Sequence, residues 1–213
     1  MERLAISESL ALKFDFDIAR SDEPFKCFDL TEVCSTDFML GVVVGPSGSG
    51  KTQAMANVSF DMIQQIEWSD DYGVADHFMS EEEAIKSLSG AGLNSVPQWF
   101  KPIKHLSNGE QYRANFARVL AYVGQANRDR LVCVDEFTSV VDRTVARSLC
   151  ESLTRFLKPS DRMVLSTCHY DVLNWLSPDW VLDTATNTVS HGEHVLKKSW
   201  EVHVFDKVGC ISR

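Results

Sequence analysis

A glycine-rich loop near the start of the chain carries the first residues that could do chemistry. Residues 45–52 read GPSGSGKT and match the pattern GxxxxGK[ST]. Glycines let the backbone curl until successive N–H groups face an anion, and a helix that starts there adds partial positive charge. The pattern predicts a cradle for nucleotide phosphates, which leaves kinases, GTPases and ATPases open. Its residues are Gly45, Pro46, Ser47, Gly48, Ser49, Gly50, Lys51 and Thr52.

Two adjacent carboxylates form the second candidate group. Residues 131–134 are apolar and are followed directly by Asp135 and Glu136. Such a pair is usually the solvated start of a loop, but here it follows a phosphate loop in the same chain. We expect Lys51 to reach the β- and γ-phosphates, Thr52 and Asp135 to hold Mg²⁺, and Glu136 to polarise an attacking water as general base.

Between these two groups lies a predicted helix start. Residues 106–113 read LSNGEQYR, in which Ser107 and Glu110 have the spacing of a capping box. The backbone N–H groups of Asn108 and Gly109 would open the helix and could bind a second anion. The alternative is that Ser107 and Glu110 only cap the helix, and the two roles are compatible.

The elements that must position these residues alternate between strands and helices. Short β-branched runs predict strands at residues 39–44, 131–134, 163–167 and 180–182. Helices are expected at residues 51–65, after Ser80 and after Ser107. A further helix has the apolar stripe Val145, Leu149, Leu153 and Phe156. This alternation predicts an α/β fold with a mainly parallel sheet, and residues 1–37 suit one or two leading strands.

Composition limits the possible functions. A chain of 213 residues with 44% hydrophobic residues can bury one substantial core. The net charge of −9 gives no broad basic surface for nucleic acid, and no apolar run approaches the ~18 residues of a membrane span. The six cysteines show no metal-site spacing, so we expect structural thiols. With no secretory leader in the sequence, a cytoplasmic location is expected.

The order of these motifs resembles that of the ABC (ATP-binding cassette) ATPases. Residues 106–110 are similar to the family signature LSGGQ, and Arg113 and the pair Ala117-Arg118 follow it as in the family. Residues 139–142 resemble the family's D-loop, and His169 resembles its switch histidine. The resemblance implies an α/β P-loop NTPase of ABC type over residues 1–213. A mainly parallel sheet would be flanked by helices, with a small N-terminal β region and a short helical subdomain at about residues 70–127.

The resemblance also implies a mechanism shared between two chains. The loop at residues 45–52 would hold ATP with Mg²⁺, and Glu136, His169 and Lys51 would serve hydrolysis. A second copy would complete the site in trans, which predicts an ATP-dependent homodimer and ATPase activity. The residues it would supply are Ser107, Asn108, Gly109, Glu110 and Asp142.

Part of the chain resembles one soluble branch of the family. Residues 95–110, 134–146 and 168–183 are similar to the ATPase domain found fused to, or associated with, a predicted GNAT-type acetyltransferase. The similarity covers roughly residues 39–190. It implies an effector protein of unknown identity, with an acetyltransferase as the candidate.

Three departures from the family pattern keep other interpretations open. Only 56 positions separate Lys51 from Ser107, which is short for a transporter. No glutamine loop is assigned. Gln64 and Gln65 are expected in the helix at residues 51–65, and Gln98 lies just before the signature. The position in the chain where the family has its glutamine loop is taken by Asp76-His77. The aromatic that stacks on adenine is not chosen among Phe14, Phe16, Phe25 and Phe28. The alternatives are an ATPase subunit of a membrane transporter and a nucleotide-responsive scaffold with little hydrolysis.

Overall fold

A six-stranded sheet organises the part of the chain that the structure describes, which is residues 10, 13, 28–56, 58, 61–62, 66–125 and 131–192 of a computed structural model. The strand order is β2-β3-β4-β1-β5-β6. All neighbouring strands are parallel except β5 and β6, which are antiparallel. The strands are β1 (Leu40–Val44), β2 (Asp61–Met62), β3 (Val132–Val134), β4 (Met163–Thr167), β5 (Trp180–Asp183) and β6 (Thr188–His191).

The central strands are buried on both faces, as expected for parallel strands covered by helices. The register pairs Val44 with Thr167 on one side and with Asp183 on the other. The carboxyl ends of β1, β4 and β5 therefore meet at one edge of the sheet. The strands predicted at residues 39–44, 131–134, 163–167 and 180–182 are confirmed to within one residue.

Seven helices lie in the described part of the chain. They are α1 (Thr31–Ser35), α2 (Lys51–Ala56), α3 (Glu81–Gly90), α4 (Val96–Trp99), α5 (Asn108–Gln125), α6 (Arg143–Phe156) and α7 (Leu173–Leu176). Short 3-10 helices occupy Val74–His77, Ile103–His105 and Tyr170–Val172. Helices α3, α4 and α5 fall inside the range of the proposed helical subdomain.

Residues of β1 face two apolar clusters, one on each side of the sheet. Val42 and Val44 join the larger cluster, with side chains of α5 and α6. Val43 joins the smaller cluster, which contains Trp180 and Met55. Gly41 is required beside the Trp180 ring, because an added Cβ would overlap it. This packing fixes β1 and with it the start of the glycine-rich loop.

Ser80 and Glu83 have the spacing of a capping box, and at the start of α3 this box is half formed. The Ser80 hydroxyl accepts a hydrogen bond from the Glu83 N–H at 3.1 Å. The Glu83 carboxylate instead accepts from the Met79 N–H at 2.8 Å, one residue before the expected partner. The helix ends at Gly90.

The helix predicted over residues 51–65 is wrong in its second half. Helix α2 ends at Ala56, and Asp61–Met62 forms β2, in which Asp61 pairs with Val132 and Met62 with Cys133. The strand forms because β3 offers a parallel partner some 70 positions later, a tertiary contact that overrides local helix preference. Gln64 and Gln65 come after β2 in the sequence and lie outside the described residues.

The expected strands near the N-terminus are also not found where the structure describes that segment. Residues 28–37 contain the helix α1, in which Cys34 is buried. Lys13 is helical, and residues 14–27, which include Phe14, Phe16 and Phe25, lie outside the described residues. At the other end β6 stops at His191, and residues 193–213 lie outside the described part.

Candidate nucleotide-binding site

The glycine-rich loop joins the carboxyl end of β1 to the start of α2, as the motif requires. Gly48 and Gly50 adopt φ angles of +76° and +85°, which other residues rarely tolerate. An added Cβ on Gly45 would overlap the Thr184 hydroxyl. Glycine is therefore required at these positions for the curl of the loop and for its approach to β5.

The Lys51 side chain lies inside this curl. It is only 5% exposed, and its Nζ donates hydrogen bonds to the backbone oxygens of Gly45 at 3.0 Å and Pro46 at 2.8 Å. A buried ammonium group needs such acceptors. The loop thus places one positive charge at its centre, where phosphate oxygens would compete with these two carbonyls.

Thr184 supports the loop from β5 and was not identified from the sequence. Its hydroxyl lies 2.6 Å from the Ser49 hydroxyl and donates to the Val44 backbone oxygen at 3.1 Å. It follows β5 directly, beside the register pair of Val44 and Asp183. Only the strand order, with β5 next to β1, could have revealed this contact.

Asp135 connects the loop to the acidic pair. Its Oδ2 accepts a hydrogen bond from the Thr52 hydroxyl at 2.6 Å. Its Oδ1 accepts from the Ser166 hydroxyl, and from the Glu136 N–H at 3.0 Å. Ser166 lies on β4 and was not a sequence candidate. Three donors from three elements therefore fix this carboxylate.

The chemistry of this pair fits Mg²⁺. Mg²⁺ prefers hard oxygen ligands, and nucleotide sites bind it with one or two protein groups, substrate phosphates and water. Thr52 and Asp135 supply a hydroxyl and a carboxylate side by side. In the described part of the chain no group of three His, Cys, Asp or Glu side chains could hold a metal without a substrate.

Glu136 is held out from the strand by an irregular turn. Its φ is +52°, and its carboxylate is exposed. Its backbone oxygen accepts hydrogen bonds from the Ser139 N–H at 3.1 Å and from the Ser139 hydroxyl at 2.8 Å. Phe137 is fully buried and packs against Phe116 with ring centroids 5.4 Å apart. The buried ring anchors the turn and leaves the preceding carboxylate at the surface.

His169 lies just beyond β4, near this turn. Its backbone N–H donates to the Thr167 hydroxyl at 3.1 Å, and its Nδ1 lies 3.2 Å from the Thr138 hydroxyl. Burial, more than the positive charge of Arg143, lowers the pKa of the imidazole, while Asp171 and Glu136 act in the opposite direction. The neutral form is therefore favoured in the absence of an anion.

The signature residues begin α5 and face solvent. Ser107 and Asn108 are exposed. Both the N–H and the hydroxyl of Ser107 donate to Glu110 Oε2, at 2.9 and 2.7 Å. These two hydrogen bonds lower the pKa of Glu110, and the bond from the Ser107 N–H has the larger effect. Among the described residues an added Cβ on Gly109 would meet no atom within 4 Å outside its own helix, so this helix start is open.

Asp142 has a structural role within its own chain. It precedes α6, and its Oδ1 accepts hydrogen bonds from the N–H groups of Thr144 at 2.9 Å and Val145 at 3.0 Å. This N-cap fixes the end of the segment at residues 139–142. Its contact with a nucleotide in trans stays a prediction.

The structure brings some candidates together within one chain and leaves others apart. Thr52, Asp135 and Glu136 form one hydrogen-bonded group, and Lys51 lies in the loop beside it. The N–H and the hydroxyl of Ser107 are bonded to Glu110, and in the described part of the chain no hydrogen bond joins these two residues to residues 45–52. One chain thus presents a phosphate loop and a separate open helix start.

Other candidates outside the motifs stay open. Phe28 packs against the smaller apolar cluster, and it is the candidate adenine-stacking aromatic that the structure describes. The pair Asp76-His77 lies in a 3-10 helix in which the His77 Nε2 accepts from the Ser69 N–H at 2.9 Å. Gln98 lies in α4. These placements leave the glutamine loop unassigned.

Comparison with known proteins identifies the fold. No protein-family model and no curated protein sequence matches the chain. Solved structures do match: the dimeric ATP-binding cassette MJ0796 bound to ADP and Pi, and the dimeric structure of MJ0796 described as a bacterial ABC transporter cassette. Each has a TM-score of 0.51 and 17% identity, and covers 68% of this chain and 80% of the other.

A bacterial Atm1-family ABC exporter with ATP bound matches with a TM-score of 0.51 and 16% identity. The match covers 68% of this chain and 32% of the exporter chain. At these identities the likeness establishes the fold alone. The chain has the α/β, mainly parallel fold of an ABC-type P-loop cassette.

Proposed function

We propose that this chain binds ATP with Mg²⁺ and hydrolyses it as an ABC-type ATPase in the cytoplasm. The observation that carries the proposal is the 2.6 Å hydrogen bond from the Thr52 hydroxyl to Asp135. It joins the phosphate loop to the acidic pair at one edge of the sheet, with Glu136 next in the chain. The alternative is a glycine-rich loop that only reverses the chain direction. Such a loop does not require a hydrogen bond between its last residue and a carboxylate 83 positions later.

Hydrolysis would depend mainly on positioning and on neutralising phosphate charge. The backbone of residues 45–52 binds the phosphates, and Lys51 exchanges its two carbonyl acceptors for phosphate oxygens. Thr52 and Asp135 would hold Mg²⁺, which would supply positive charge against the phosphate oxygens. Glu136 accepts a proton from the attacking water, and His169, with its neutral imidazole, contacts the γ-phosphate.

The second half of the site comes from another copy of the chain. The exposed start of α5, with Ser107, Asn108, Gly109 and Glu110, has free space in front of Gly109 and an aligned helix dipole behind it. It would bind the triphosphate held by the partner's loop, and Asp142 would approach the same nucleotide. ATP then stabilises the dimer, and hydrolysis releases it.

Phosphate release measured with ATP and Mg²⁺ tests this proposal. We expect Glu136→Gln to bind ATP but lose at least 100-fold in turnover, because the general base is gone. Lys51→Ala should weaken ATP binding itself, since a charge-assisted phosphate contact is lost. Tyr72→Phe, at an exposed position away from the loop, is the matched control. Turnover unchanged in Glu136→Gln would contradict the assignment, and no turnover in the wild type would favour a nucleotide-responsive scaffold.

The biological output of the cycle would be conformational work on an associated protein. The support is the resemblance of residues 95–110, 134–146 and 168–183 to cassettes that work with a predicted acetyltransferase. Affinity purification of the native protein, with and without ATP, tests this. An acetyltransferase enriched only in the sample with ATP supports the link, and its absence from both samples contradicts it.

An ATPase subunit of a transporter is the second candidate. Strand β2 supports this candidate. Gln64 and Gln65 were excluded as a glutamine loop because a helix was expected over residues 51–65. Since β2 precedes them in the chain and pairs with β3, that objection no longer holds. Cassettes of transporters are also among the similar structures. The described helices include none with the length and apolar character needed to cross a bilayer. Copurification with a membrane protein would decide for this candidate.

A further inference from the structure

Helix α5 carries a tyrosine, Tyr112, whose hydroxyl is hydrogen-bonded to a residue outside the helix. Tyr112 lies four residues after Asn108, on the same face of the helix as that residue. Its ring packs against the larger apolar cluster. Its hydroxyl, however, accepts a hydrogen bond from the Thr138 N–H at 2.9 Å. The side chain therefore connects the signature helix to the turn after Glu136.

Thr138 is held in a conformation that a β-branched residue rarely adopts. Its φ is +68°, and the residue is fully buried. Such a conformation is strained and persists only where the surroundings determine it. The Tyr112 hydroxyl provides the acceptor that its buried N–H needs. Burial raises the pKa of Tyr112 to about 12, so its hydroxyl stays neutral.

The turn in this conformation presents the Thr138 hydroxyl to a candidate catalytic group. Thr138 Oγ1 lies 3.2 Å from His169 Nδ1. A hydrogen bond to one ring nitrogen fixes the tautomer and the orientation of the other. Tyr112, Thr138 and His169 thus form a continuous chain from α5 to the end of β4.

We propose that Tyr112 is a positioning residue for His169, acting through Thr138. The hydroxyl of Tyr112 holds the Thr138 turn, and the Thr138 hydroxyl in turn sets the orientation of the imidazole. The consequence for catalysis rests on the proposed ATPase function, whereas the positioning itself is a property of the protein without nucleotide. Because α5 begins at the residues proposed to bind the partner's nucleotide, the same contact links the two halves of the composite site.

Imidazole ¹⁵N NMR of the nucleotide-free protein tests the positioning. The His169 signals are assigned by comparison with His169→Asn. In Tyr112→Phe we expect the ¹⁵N shifts of His169 to move towards the average of the two tautomers. Tyr72→Phe, at an exposed tyrosine, should leave them unchanged. Thr138→Val removes the hydroxyl but keeps the branched shape, and it should produce the same change with Tyr112 intact.

Steady-state kinetics test the catalytic consequence. We expect Tyr112→Phe to lower kcat by about tenfold, the effect of losing one buried hydrogen bond, with KM for ATP within twofold of the wild type. Unchanged His169 shifts in both Tyr112→Phe and Thr138→Val, or an unchanged kcat in Tyr112→Phe, would overturn the proposal. A wild type without turnover would instead overturn the proposed function, and the NMR comparison would still decide the positioning.

Discussion

Replacing Gly109 by aspartate should change stability and dimerisation in opposite directions. In the described part of the chain, an added Cβ at this position meets nothing within 4 Å beyond its own helix. Gly109 is the second residue of α5, where a negative charge favours the helix by about 0.3–1 kcal/mol. We therefore expect Gly109→Asp to raise the melting temperature of the nucleotide-free monomer by roughly 1–4 °C.

The same carboxylate would face the phosphates of the partner's ATP. Two negative charges 4 Å apart repel by about 4 kcal/mol at an effective dielectric constant of about 20, which is close to a thousandfold in affinity for each site. The interface should therefore be lost at concentrations where the unsubstituted protein forms it. This loss should occur in a protein that is at least as stable as the parent.

The assay combines thermal unfolding with sedimentation velocity in a Glu136→Gln background, with ATP and Mg²⁺. Gly109→Asn is the matched control, because asparagine has nearly the same shape as aspartate without the charge. We expect the asparagine variant to retain much more of the dimer. The reasoning is refuted if the aspartate variant dimerises like its parent, or if it melts several degrees lower, which would place Gly109 in contact with its own fold.

Three further predictions concern the scaffold. Phe137→Ala should destabilise the protein by roughly 3–5 kcal/mol in urea unfolding, because the ring is fully buried against Phe116; a loss below about 1 kcal/mol would contradict this packing. Gly41→Ala should cost roughly 1–3 kcal/mol, because the new Cβ overlaps Trp180, and an unchanged urea midpoint would refute the overlap. Burial lowers the pKa of His169 below its usual 6.5. As the pH falls through 6.5, His169 is therefore protonated in the unfolded chain at a higher pH than in the folded protein. The free energy of unfolding that the neutral imidazole contributes above pH 6.5 is for this reason lost at lower pH. The melting temperature of the wild type minus that of His169→Asn should then decrease as the pH falls below 6.5, and a constant difference would contradict the shift.

The sequence predicted the residues whose signals are local. A curled loop needs glycines at fixed spacing, a helix start needs a side-chain acceptor, and a buried parallel strand needs β-branched residues. Lys51, Asp135 and the start of α5 could be placed on these grounds. Each of them lies at the end of the strand or helix that its motif predicts.

The supporting residues could not be predicted, because their contacts depend on the order of the strands. Ser166 reaches Asp135 only because β4 lies beside β3, and Thr184 reaches Ser49 only because β5 lies beside β1. Sequence spacing carries no information on that order. The contact of the Tyr112 hydroxyl with Thr138 could not be predicted for another reason. A tyrosine at a core position of a helix fits the apolar pattern whatever its hydroxyl contacts.

The error in the segment after the glycine-rich loop has a similar origin. Residues 51–65 contain no proline or glycine, so no local signal ends the helix before Gln65. The pairing of Asp61 with Val132 decides the structure there. A short edge strand that depends on a distant partner cannot be separated from a helix by periodicity alone.

Sedimentation velocity of Glu136→Gln, with and without ATP and Mg²⁺, tests the central claim most directly. The account predicts a monomer without nucleotide and a dimer with it. The ATP-dependent dimer should disappear when Gly109→Asp is added, because the new carboxylate would face the partner's triphosphate. A protein that binds ATP but stays monomeric at all concentrations, or a dimer that Gly109→Asp leaves intact, would contradict a triphosphate shared between the loop of one copy and the signature helix of the other.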